Sequence, residues 1–261
     1  MSDQWALITG ASAGLGAEFA RQLAAQGKNL VLVARRAEPM QELAAELAGD
    51  HDVDVEIFTA DMSDPSAPAQ IQVFVDSRNI EIDYLVNNAG TAPPDLIREG
   101  DWSAHRAYLD LMLVSVAEMC HRFIPPMRKR GFGKVVNVAS VAGLVSLPND
   151  YSYGPTKAYL VALSRALSKT FRPEGVDVLA LCPGFTHTDF HASKELTAMK
   201  QGMPSFLWYD ANVVVRDGLK ALEKGREVCI SGRLYRFLVP LMRTRLANWL
   251  AATMNIRRGV K

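Results

Sequence analysis

The chain has 261 residues, 49% apolar and 22% charged, with 29 Lys+Arg against 28 Asp+Glu for a formal net charge of +1. Such a composition suits a globular protein with a substantial core, and the net charge argues neither for nor against nucleic acid, so no nucleic-acid partner is expected. The three cysteines, Cys120, Cys182 and Cys229, stand far apart without metal or redox spacing, so neither a disulfide framework nor a metal site is expected.

The start, MSDQWALITG, runs straight into an apolar run at 5–9, and no secretory leader is expected. Residues 10–16 (GASAGLG) follow at once, and Phe19, Ala20, Leu23 and Ala24 then mark an amphipathic helix. Strand, glycine turn and helix form the context in which backbone N–H groups approach a pyrophosphate at a helix N-terminus. The spacing here is GxxxGxG. A second run at 29–34 (NLVLVA) completes a βαβ unit of the expected size.

Further apolar runs at 53–59, 82–86, 134–139, 176–182 and 227–231 read as strands, separated by helical patterns. The order predicts an α/β fold: a Rossmann-like, doubly wound parallel sheet of about seven strands with helices on both faces. Ligands bind such sheets at the carboxyl ends of the strands. No repeat, low-complexity tract or linker divides the chain, so residues 1–261 are expected to form one dinucleotide-binding and catalytic domain. No uninterrupted apolar stretch is long enough to span a bilayer. The default is a soluble protein of a reducing compartment, the cytoplasm.

Tyr153 and Lys157 are the most informative pair. At i and i+4 they share one face of a helix. A free phenol titrates near 10, too high for efficient acid–base work near neutral pH. A lysine ammonium one turn away favours the phenolate and lowers that value. Ser140, thirteen residues upstream, offers a hydroxyl to hold a substrate oxygen. Together they form a device for moving a proton on or off a carbonyl or carbinol oxygen.

These residues resemble the short-chain dehydrogenase/reductase family over nearly the whole chain. Residues 9–16 (TGASAGLG) are similar to its cofactor turn and 87–90 (NNAG) to its motif after the fourth strand. Residues 137–143 (NVASVAG) carry Ser140 at the family's serine, Tyr153 and Lys157 match its YxxxK pair, and Pro183, Gly184 and Thr188 match its PGxxxT loop. The resemblance implies that Tyr153 is the general acid/base. It implies that Lys157 lowers the tyrosine pKa and binds the nicotinamide ribose, and that Ser140 orients the substrate oxygen. It also implies cofactor contacts from Gly10, Ser12, Gly14, Leu15, Gly16, Asp61, Met62, Asn88, Ala89, Gly90, Tyr153, Lys157, Pro183, Gly184, Thr186 and Thr188, and a homo-oligomer, a dimer or tetramer.

Cofactor choice is read at the end of the second strand. An NAD-selective site places a carboxylate there; here Arg35 and Arg36 stand instead. A guanidinium binds a 2′-phosphate bidentately, and Ser12 can add a hydroxyl contact. The pattern implies NADP(H); the alternative is two solvated surface arginines. Asp61 has two readings, partner to the adenine amino group or cap of a helix beginning near Ser63.

One position departs from the family. Counting back from Ile124-Pro125, Met112 stands where an asparagine usually kinks the helix and frees a carbonyl for a relay water. Methionine keeps the carbonyl and loses the amide. The relay survives on backbone alone, turnover is impaired, or the protein senses and binds NADPH without efficient catalysis. Ser115, one turn on, is a candidate substitute.

Phe185, Phe190, Leu196, Met199, Met203, Phe206, Leu207, Trp208 and Tyr209 suit a bulky apolar substrate, or form ordinary packing. Gly202 and Pro204 suggest a mobile lid over it. His187 and His191 are read as surface residues or caps rather than catalytic groups. At about 233–261 the chain is basic and apolar: Arg233, Arg236, Arg243, Arg245, Arg257, Arg258 and Lys261 with no acid after Glu227. Packing on the domain or on a second subunit is favoured over a peripheral membrane contact. Pro240 is expected to break or start a helix there.

Overall fold

The structure, a computed structural model, describes residues 4–97, 101–146, 150–187 and 207–242. Strand β1 (Trp5–Thr9) leads through the glycine turn into α1 (Gly14–Ala24), followed by β2 (Asn29–Ala34), α2 (Ala37–Asp50) and β3 (Val55–Thr59). Next come α3 (Ala67–Ser77), β4 (Ile82–Asn87), α4 (Trp102–Leu109), a π-helical turn at Asp110–Val114 and α5 (Ser115–Arg130). Strand β5 (Gly133–Val138) precedes a short 3₁₀ turn at Val141–Leu144, α6 (Tyr153–Phe171) and β6 (Val176–Cys182). Two three-residue strands follow, β7 (Phe185–His187) and β8 (Trp208–Asp210), then α7 (Ala211–Glu223), β9 (Val228–Ile230) and α8 (Arg233–Met242).

Seven of these strands form one sheet in the order β3-β2-β1-β4-β5-β6-β9, every pair parallel. The order reverses between β1 and β4, the switch point at which a doubly wound sheet opens a crevice. Alternation along each strand supplies two cores. Ala6, Ile8, Leu30 and Leu32 pack with α1, α2 and α7 on one face. Leu7, Val31 and Val33 pack with α3 and α5 on the other. Because both faces are covered, the inner strands carry the unbroken apolar runs by which they were read.

The expected α/β architecture is therefore what the chain adopts, and the differences are local. The helix expected near Ser63 begins at Ala67. Asp61 and Asp64 each form a turn first, accepting from the N–H and Oγ of Ser63 and Ser66 at 2.8–2.9 Å. The helix at Arg233–Met242 runs through Pro240 rather than breaking there. Pro240 lies in its last turn, where its missing N–H leaves only the Arg236 carbonyl without a helical donor and the helix ends two residues later. The parallel pair β7–β8 was not anticipated.

Candidate active site

The glycine turn is built around the lack of side chains. Gly10 and Gly14 have φ of 66° and 56°, a region open to glycine at little cost. A Cβ on Gly16 would stand 2.2 Å from the Gly10 carbonyl oxygen, and one on Gly10 would stand 2.8 Å from Asn88 Nδ2. The turn is tied to the carboxyl end of β4. Asn88 Nδ2 donates to the carbonyls of Thr9 and Gly10 at 3.0 and 3.2 Å, while Thr9 Oγ1 accepts from Asn88 N and Ala89 N at 3.0 and 3.1 Å. This fits a cradle for a pyrophosphate against the α1 N-terminus. The hub hydroxyl, Thr9, was not singled out in the sequence, since one threonine at a strand end carries no pattern.

At the end of β2, Arg35 and Arg36 are exposed. Arg35 Nη1 lies 3.8 Å from Asp61 Oδ2, and Arg36 Nη2 donates to Ser12 Oγ at 3.4 Å. Ser12, Arg35, Arg36 and Asp61 thus share one rim of the crevice. Asp61 closes its own turn onto Ser63 and caps no helix, since α3 begins at Ala67 with Ser66 before it, so the helix-cap reading of Asp61 does not hold. Leu15 packs against one core, and the Met62 side chain is buried in the other, which leaves main chain for any ligand contact by Met62.

The expected proton-moving residues sit three to four strands away, beyond the ends of β5 and β6. Ser140 caps the 3₁₀ turn after β5, its Oγ accepting from Ala142 N at 3.1 Å. Tyr153 opens α6 and is hydrogen-bonded to Ser140. Lys157, one turn on, is buried; its Nζ donates to Val138 O at 2.8 Å and lies 5.7 Å from the Tyr153 ring centroid. Glycine again brings main chains together: a Cβ on Gly143 would stand 2.5 Å from the Lys157 carbonyl carbon. Burial pushes the Tyr153 phenol up to about 12, opposed by its hydrogen bond to Ser140. Burial also brings the Lys157 ammonium down to about 8. The shift runs opposite to the lowering expected from Lys157: desolvation dominates, and the only opposing contribution comes from Ser140.

Two further features buttress this group. Asp150 accepts from Gly154 N with both carboxylate oxygens at 2.9 Å, closing the first turn of α6. Tyr108 bonds Thr156 Oγ1 at 2.9 Å through its hydroxyl, joining α4 to α6. Met112 falls inside the π-helical turn, where Ser115 N bonds back to Asp110 O. Its side chain is 1% exposed, and its sulfur would stand 3.2 Å from a Cβ on Gly90. Ser115 Oγ donates to Leu111 O at 2.7 Å, so that hydroxyl is already engaged. A π turn thus occupies the departing position without an asparagine; π turns recur at functional sites.

After β6, Val141 N donates to Pro183 O at 2.9 Å, and Thr186 Oγ1 to Gly184 O at 3.1 Å. Thr188, His191 and the apolar candidates Phe190, Leu196, Met199, Met203 and Phe206 lie outside the described residues, as do Gly202, Pro204 and Arg243 onward. Among the candidates that are described, Phe185 and His187 lie against Trp208 with centroids 5.2 and 5.3 Å apart. These side chains pack on one another.

Residues 4–198 match the family model for short chain dehydrogenases. The chain belongs to the short-chain dehydrogenase family. This short-chain dehydrogenase is 29% identical over 185 residues to a 7beta-hydroxysteroid dehydrogenase of Mediterraneibacter gnavus, covering 71% of this chain and 70% of that one. It resembles the solved short-chain dehydrogenase of Sphingobium yanoikuyae in complex with NADPH, with TM-score 0.77, 26% identity and coverage of 99% and 96%. It also resembles the bulky-bulky ketone specific alcohol dehydrogenase of Comamonas testosteroni, with TM-score 0.76, 26% identity and coverage of 99% and 95%.

Proposed function

We propose that this family member is an NADP(H)-dependent oxidoreductase that transfers hydride between the nicotinamide and a carbonyl or secondary alcohol of a bulky apolar substrate. The observation that carries the reading is the hydrogen bond of Tyr153 to Ser140, with buried Lys157 one helical turn below. When bound, the nicotinamide supplies or receives the hydride. Tyr153, held as the neutral phenol by burial, gives its proton to the substrate oxygen as negative charge develops there. Ser140 Oγ accepts from Ala142 N, so its own hydrogen is available to the substrate oxygen or to the phenolate. Lys157 stabilises the phenolate that proton transfer leaves behind. A phenol near 12 favours the reductive direction at neutral pH, since the proton donor is fully loaded.

At the other end of the crevice, Arg35, Arg36 and Ser12 supply a guanidinium-rich rim for a 2′-phosphate. The similar NADPH-bound structure supports that assignment. The bulky substrate class is supported by the steroid and bulky-ketone activities of the two similar proteins. No metal enters the scheme. We further propose a homo-oligomer in the cytoplasm, with residues 1–261 as one domain. The mainly apolar groove lined by Leu113, Val114, Ala117, Glu118, His121 and Tyr159, on the π turn, α5 and α6, supports a subunit contact.

The test is NADPH consumption by the purified protein with a panel of bulky ketones, steroid ketones and small aldehydes. Turnover of bulky ketones, at least tenfold more efficient with NADPH than with NADH, is expected. Tight NADPH binding without turnover on any member would favour a second reading. In that reading the protein binds NADPH as a sensor or partner and has impaired catalysis, a possibility raised by Met112. Sedimentation of the same sample measures the subunit count.

A further inference from the structure

The loop after β6 is held by a residue from a distant part of the chain. Tyr235, on α8, is 7% exposed, and its hydroxyl makes two main-chain bonds. It accepts from Phe185 N at 3.2 Å and donates to Leu207 O at 2.9 Å. Its ring lies flush on Gly184: a Cβ there would stand 2.0 Å from Tyr235 Cε2. Tyr209, whose ring centroid is 5.9 Å away, braces the arrangement by accepting from Leu234 N at 3.4 Å. The first turn of α8 and the β7–β8 pair are therefore cross-linked by two tyrosines.

The other end of the same loop abuts the proton-moving group. Pro183 O accepts from the N–H of Val141, the residue after Ser140. The 2′-phosphate rim, by contrast, follows β2, four strands away in the sheet order. At about 4.8 Å per strand that is roughly 19 Å. The tyrosine therefore touches only one end of the crevice.

We propose that Tyr235 is a positioning residue for the nicotinamide end of the cofactor site, acting through Gly184 and Phe185 and contacting no substrate itself. The inference rests on the NADP(H) reading above. Removing the hydroxyl leaves a part-buried N–H and carbonyl without their partner, and lets the loop leave the position that meets the nicotinamide.

The decisive comparison is between two ligands in wild type and Tyr235→Phe, measured by calorimetry. NADPH reaches both ends of the crevice; adenosine 2′,5′-bisphosphate reaches only the rim at Arg35. Tyr235→Phe is expected to weaken NADPH about tenfold and to leave the bisphosphate within twofold. Amide hydrogen exchange at Phe185 should accelerate in the variant. An equal loss for both ligands would mean a general structural role, and no loss for either would mean that the loop holds itself; each overturns the inference. If Tyr235→Phe does not fold, Tyr235→His retains a ring and one hydrogen bond and must give the same split between the ligands. A wild-type protein that binds neither ligand would instead overturn the cofactor reading. Wild-type binding of both with no split in the variant overturns the role of Tyr235 alone.

Discussion

Lys157 Nζ donates to the carbonyl oxygen of Val138, the last residue of β5, at 2.8 Å. A buried lysine is thereby anchored to the sheet rather than to a carboxylate. Among the described residues it has no carboxylate partner, and burial lowers its pKa to about 8. A strand end thus sets the position of the group beneath the phenol, and burial sets its protonation.

Below about 8 the folded protein carries Lys157 charged; above it the amine is neutral, while in the unfolded chain it stays charged up to about 10.5. Its contribution to stability therefore rises with pH between those values, while the charge that supports the phenolate disappears. We expect kcat for ketone reduction to fall above pH 8 with an apparent pKa near 8. In Lys157→Arg this limb should move beyond pH 10, because guanidinium stays protonated. A flat wild-type profile from pH 7 to 10 would refute the coupling.

Tyr153→Phe should abolish nearly all turnover while NADPH binding stays within a few-fold. Losing a positioned acid costs roughly 10²–10⁴ in rate. Retention of more than about a tenth of wild-type kcat at its optimum would remove Tyr153 from the role of proton donor.

Arg35→Ala should weaken NADPH about tenfold or more and barely change NADH. A charge-assisted contact is worth about 1.5–3 kcal/mol, and about 1.4 kcal/mol is a factor of ten. Arg35 is exposed and 3.8 Å from Asp61, so the fold has little need of it. Equal losses for the two cofactors in a binding titration would show that it does not read the phosphate.

Met112→Asn should change kcat little and lower Tm. The methionine is buried against Gly90, and an amide placed there without a partner costs about 1–3 kcal/mol. A tenfold gain in kcat on a confirmed substrate, about 1.4 kcal/mol of transition-state stabilisation, would mark the natural residue as a lesion.

The sheet was legible because its inner strands are apolar on both faces; Leu30, Val31, Leu32 and Val33 leave no other reading for that run. Ser140, Tyr153 and Lys157 were legible because a phenol and an amine at helical spacing have few structural uses. The π turn was not, because one wider turn inside a long helix leaves the apolar pattern intact on either side. The β7–β8 pair was equally hidden: three residues per strand is too short for periodicity, and Tyr235, which bridges it, comes from α8. The turns at Asp61 and Asp64 delayed α3 because each aspartate caps a bend before any helical run can start.

Gly143 has a consequence for divergence. With no side chain between the Ser140 turn and the main chain of α6, the spacing of the main chains that carry the proposed proton-handling groups does not depend on any intervening side chain. Mutations that reshape the apolar surroundings can then change which substrate is accepted without moving those main chains. The two properties are inherited separately, and substrate preference is free to drift over a constant chemistry.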